Sequence, residues 1–68
     1  MSEITFLVQE AEEGGYTARA MGKSIFTEGE TMEELKSNIK EAILCYFEKD
    51  APIFAHLHFV KDEILALA

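Results

Sequence analysis

The sequence predicts an α+β domain in which one helix covers a small antiparallel sheet, in the order β-β-β-α-β with a further terminal strand left open. Three observations carry this. Residues 4–28 alternate in short apolar and polar runs broken by glycine-containing turns, as strands joined by hairpins require. Thr31-Met32-Glu33-Glu34 then opens the one stretch of helical period, with Leu35, Ile39, Ile43 and Tyr46 recurring every three to four residues. Residues 53–60 return to a period of two, the period of a strand.

The first strand is Ile4-Thr5-Phe6-Leu7-Val8-Gln9, with Ile4, Phe6 and Val8 on one face. Glu10 to Gly15 is a polar turn, and Gly14-Gly15 supplies the positive backbone angles that a hairpin needs. Tyr16 to Met21 is the second strand, with Tyr16, Ala18 and Ala20 on one side and Thr17, Arg19 and Met21 on the other. The alanines predict close approach of the helix on their side. Gly22-Lys23 is a tight turn into a third strand, Ser24 to Glu28, and the three strands form a meander.

The helix is predicted from Met32 to about Glu48. Thr31 caps its N-terminus, and Glu34 is placed to reach back to the Thr31 backbone N–H. Met32, Leu35, Ile39, Ala42, Ile43 and Tyr46 form its apolar stripe, with Cys45 at the edge as a small buried filler. Leu44 points away from the stripe and is a candidate oligomer contact. Asp50-Ala51-Pro52 stops the helix. Ile53 to Val60 is the fourth strand, Lys61-Asp62 a turn signal, and Glu63 to Ala68 either a fifth strand or a short helix. Ile64, Leu65 and Leu67 leave this last segment apolar on both faces, which predicts burial in a subunit interface.

A chain of 68 residues is one domain, residues 1–68, and has a marginal core. Cys45 is its only cysteine, so no disulfide supports it. Small unstapled domains gain stability by association, and a dimer or higher homo-oligomer is expected. The N-terminus lacks a signal-peptide pattern and no segment reaches the roughly 20 apolar residues of a membrane span, so the expected location is cytoplasmic. The net charge of −7, from 13 acidic and 6 scattered basic residues, disfavours a nucleic-acid groove. It serves solubility or attracts a basic partner.

Catalytic patterns are sparse, and no enzyme activity, metal or cofactor is expected. No glycine-rich phosphate loop or nucleophile elbow occurs, and no serine has an evident base partner. His56 and His58 share a strand face, where Asp62 or Cys45 would have to converge to complete a metal site; an ordinary half-exposed sheet face is the preferred account of them. Glu10, Glu12 and Glu13 read as solvated turn charge. Glu28, Glu30, Glu33 and Glu34 gather at the helix start, where acids complement the helix dipole. The same cluster would also form a docking patch for a basic protein.

Three segments in fixed order carry a family likeness: Gly15-Tyr16-Thr17-Ala18-Arg19-Ala20, then Ile25 to Leu35 with Thr27-Glu28-Gly29-Glu30-Thr31 at its centre, then Asn38-Ile39-Lys40-Glu41-Ala42. Together these resemble the HicB-like antitoxins, in a short single-domain branch. The resemblance covers about residues 4–48. It implies a fold likened to a partial double-stranded-RNA-binding domain or a degraded RNase H-like fold. It also implies an oligomeric antitoxin that blocks a small basic RNA-cleaving toxin of the HicA type by occlusion. The candidate contacts are Glu28, Glu30, Glu33 and Glu34, with Arg19 on the exposed side of the second strand. The loop Met21-Gly22-Lys23 is shorter than the family's, and the DNA-binding domain that many members carry is not expected within residues 1–68. An orphan homo-oligomer without a toxin is the alternative expectation.

Overall fold

The computed structural model describes residues 3–67. Five elements follow one another: β1 (Glu3–Glu10), β2 (Tyr16–Ala20), β3 (Phe26–Gly29), α1 (Met32–Tyr46) and β4 (Phe54–Val60). The strands form one mixed sheet in the order β3-β2-β1-β4. The α+β class and the β-β-β-α-β order agree with the sequence reading.

Period-two alternation builds the core. Ile4, Phe6 and Val8 from β1 and Ala18 and Ala20 from β2 are buried on the face that α1 covers with Leu35 and Ile39. The alanines let the helix approach β2, as their size predicted. Ile25 completes the buried cluster from the β2–β3 connection. That connection is longer than the expected Gly22-Lys23 turn: Ser24 and Ile25 belong to it, and the Ala20 N–H donates to the Ile25 carbonyl at 2.9 Å to close it.

Four further expectations are corrected. The sheet is not wholly antiparallel, because β4 pairs with β1 in parallel, Ile4 opposite Ala55 and Phe6 opposite Leu57. A helix carries the chain back to the end it left, so the following strand must run in the direction of β3, which is also that of β1. The helix ends at Tyr46 rather than near Glu48, because Phe47 turns to extended backbone and packs its ring inward against the core. Cys45 is exposed, not a buried filler. Residues 61–67 form neither a fifth strand nor a helix and are exposed throughout; Ala68, the last residue of that expected element, lies outside the described residues.

Helix α1 lies over β3 and β2 and not over β4. Half of the sheet's inner face is therefore thinly covered: Leu57 is half-buried, while Ile53 and Phe59 remain exposed. The N-terminus of α1 is well anchored. Thr31 is extended and its Oγ1 accepts from the Glu34 N–H at 3.0 Å. The Glu34 carboxylate reaches one residue further back than expected, accepting from the Glu30 N–H at 3.1 Å. Thr31→Ala should cost about 1 kcal/mol in urea unfolding by removing this cap, while Thr31→Ser should cost little.

Candidate functional site

The β1–β2 turn and the β3–α1 junction meet at one end of the molecule. The turn is set by Gly14 and Gly15, whose φ angles of 102° and 81° side chains rarely adopt. The Ala11 N–H donates to the Gly15 carbonyl and the Gly14 N–H to the Ala11 carbonyl, each at 3.0 Å, which closes the loop on itself. Antiparallel pairing then sets Tyr16, the first residue of β2, opposite Gly29, the last of β3. The backbones are so close that a Cβ at Gly15 would lie 2.8 Å from the Gly29 carbonyl oxygen. Asn38, one turn before Ala42 on the helix, donates from Nδ2 to the Glu28 carbonyl at 2.7 Å and fixes α1 against the outer edge of β3.

This junction encloses an open cavity of about 400 Å³. Glu13 lines it from the turn, Tyr16 from β2, and Glu28, Glu30 and Glu34 from the other wall. Four glutamates thus contribute to one hollow whose lining includes no basic residue, although alternation along β3 places Glu28 on the same sheet face as Phe26 and Arg19. The helix dipole favours Glu34 in the first turn of α1, a carboxylate near a helix N-terminus gaining about 0.3–1 kcal/mol. Among the described residues no ion pair engages any of the four.

Of the residues singled out from the sequence, Glu28, Glu30 and Glu34 come together here. Glu33 is exposed on the first helical turn but does not line the cavity. Arg19 lies elsewhere: it is paired with Phe26 across the outer face of the sheet, its guanidinium 6.0 Å from the ring centroid. Glu13 and Tyr16 were not linked to this site by sequence. The register of β2 with β3 was the signal that could have found them, since it folds the glutamate-rich turn onto the helix start.

The histidine pair takes no part. His56 and His58 lie opposite Thr5 and Leu7 of β1, on the sheet face away from α1, so Cys45 on the helix cannot join them. Glu3 Oε2 lies 3.8 Å from His56 Nδ1 at the surface. Among the described residues no three His, Cys, Asp or Glu side chains converge as a metal requires. No helix among them is long and apolar enough to cross a membrane.

No family model and no solved structure matches the chain. It is 46% identical over 65 residues to a UPF0150 protein of Thermotoga maritima, an alignment covering 96% of this chain and 93% of that one. It is also 52% identical over 46 residues to a UPF0150 protein of Archaeoglobus fulgidus, covering 68% of each. The first alignment takes in both walls of the acidic cavity and all five elements of the fold, and by it the chain belongs to the UPF0150 family.

Proposed function

We propose that the acidic cavity is a docking surface for a basic protein, and that the chain acts without catalysis as an antitoxin-type module of the HicB kind. It would neutralise a small basic RNA-cleaving toxin by covering the surface on which that toxin holds RNA. The observation that carries the reading is the convergence of Glu13, Glu28, Glu30 and Glu34 on one hollow with no basic residue in its lining. Carboxylates held together by a rigid turn and a capped helix mimic the spaced negative charge of a nucleic-acid backbone. A toxin that binds RNA through lysines and arginines would meet the same charge here, and long-range attraction would speed its capture. The motif likeness of residues 15–42 supports the same reading. The net charge of −7 weighs against direct RNA binding. Partner and chain would meet in the cytoplasm.

The test uses the chain as bait in its source cells, followed by titration of the captured protein against the parent and against Glu28→Lys with Glu30→Lys. Glu34 is left intact because its carboxylate caps the helix. The expected result is a small basic protein recovered in equal amount, whose RNA cleavage stops on binding. The double reversal should weaken that binding by at least about tenfold and leave the circular dichroism spectrum unchanged. Equal binding by parent and variant would overturn the assignment of the cavity, and recovery of no basic protein would overturn the function.

A further inference from the structure

A second feature lies at the opposite side of the helix and is independent of the acidic cavity. Because α1 does not cover β4, an apolar groove of about 550 Å³ runs between them. Ile43, Leu44, Ile53, Phe54 and Leu57 line it, and Lys36 and Lys40 stand on its helical wall. Leu44 and Ile53 are 72% and 76% exposed, an apolar surface that a soluble domain seldom leaves bare.

The chain also carries a segment of matching chemistry. Residues 61–67 leave the end of β4 as an arm without secondary structure, in which Ile64 is 97% and Leu67 91% exposed. The arm projects: the molecule is 54 Å long but only 20 × 17 Å across, and its radius of gyration of 13.7 Å exceeds the roughly 11 Å of a compact chain of this length. Its base is acidic, Asp62-Glu63, and its tip is Ile64-Leu65-Ala66-Leu67. Acidic base and apolar tip complement the lysine wall and apolar floor of the groove.

Direction decides whose groove the arm fills. The groove flanks the start of β4, whereas the arm departs from the opposite end of that seven-residue strand. The outer edge of β4 carries no partner strand. If two copies set these edges side by side in antiparallel fashion, the end of each β4 meets the start of the other. Each arm then passes directly over the other copy's groove. A twofold axis satisfies both contacts at once.

We propose that two copies of this chain form a dimer by exchanging residues 61–67, each arm lying in the partner's groove between α1 and β4. Ile64, Leu65 and Leu67 enter the apolar floor, Leu44 helps to form it, and Asp62 and Glu63 face Lys36 and Lys40. The second copy supplies the core cover that α1 does not reach.

Sedimentation equilibrium of the full chain tests this without any other protein. The parent should have twice the mass of the chain at micromolar concentration. Leu65→Asp with Leu67→Asp should weaken association by at least about a hundredfold, since two buried leucines are lost. A parent that stays monomeric up to about 100 µM would overturn the dimer, and an arm variant that dimerises like the parent would overturn the arm's role. If the arm variant fails to fold, charge exchange at exposed positions decides. Lys36→Glu with Lys40→Glu should weaken the dimer about three- to tenfold, and adding Asp62→Lys with Glu63→Lys should restore it. Absence of that restoration would overturn the proposed seating. Glu28→Lys with Glu30→Lys should leave the mass unchanged, which separates this inference from the docking function.

Discussion

Phe6→Ala is expected to leave the chain largely unfolded at room temperature. Phe6 is fully buried in the central strand β1, paired with Ala20 on one side and Leu57 on the other. It is the largest of the fully buried side chains, and its neighbours on β2 are alanines. Two methyl groups cannot move into the space a ring leaves, so the cavity would persist, at a cost of about 3–5 kcal/mol. A domain of 68 residues has about 3–10 kcal/mol in total. The substitution therefore removes most or all of the stability. Urea unfolding followed by circular dichroism would measure it, and a loss under about 2 kcal/mol would show that the core collapses around the site. Phe6→Leu should retain the fold at a smaller cost.

Gly29→Ala is the second large effect, and it comes from overpacking. A Cβ at Gly29 would lie 2.6 Å from the Leu35 backbone nitrogen and 2.8 Å from its Cα. Both belong to the first turns of α1, which Thr31, Glu34 and Asn38 hold in place. No flexible side chain can yield; either the helix start or the end of β3 must shift, at about 1–3 kcal/mol or more. Gly14→Ala provides the comparison, because a Cβ there meets nothing within 4 Å and only its φ of 102° is strained. Thermal unfolding should rank Gly29→Ala below Gly14→Ala. The reverse order would mean that the helix start is mobile enough to absorb a methyl group.

Most of the fold was legible because local signals and the core agree. Ile4, Phe6 and Val8 alternate as a strand must, and their face is the buried one. The Thr31 cap and the stripe through Leu35 and Ile39 set the helix start to the residue. What the sequence left open depends on contacts between distant segments. The direction of β4 follows from where the helix delivers the chain, which no period of two records. Phe47 continues the apolar stripe by spacing, yet leaves the helix because its ring packs better inward; the Lys23 ammonium 5.9 Å from its centroid belongs to a loop twenty-four positions earlier. Three of the cavity's four glutamates were legible as a cluster, whereas Glu13 required the Tyr16–Gly29 register. Gly15 and Gly29 stood out as motif letters, and their pairing supplies the reason: two backbones and a helix crowd one point.

The parallel pairing of β1 with β4 also bears on how the molecule is made. Partners such as Ile4 and Ala55 lie about fifty residues apart, so the loop entropy between them is spent before any of that pairing is gained. During synthesis β1, β2, β3 and α1 can assemble from near neighbours, but β1 keeps one edge open until β4 has been made. Closure of the sheet therefore waits for β4, the last of the strands in chain order.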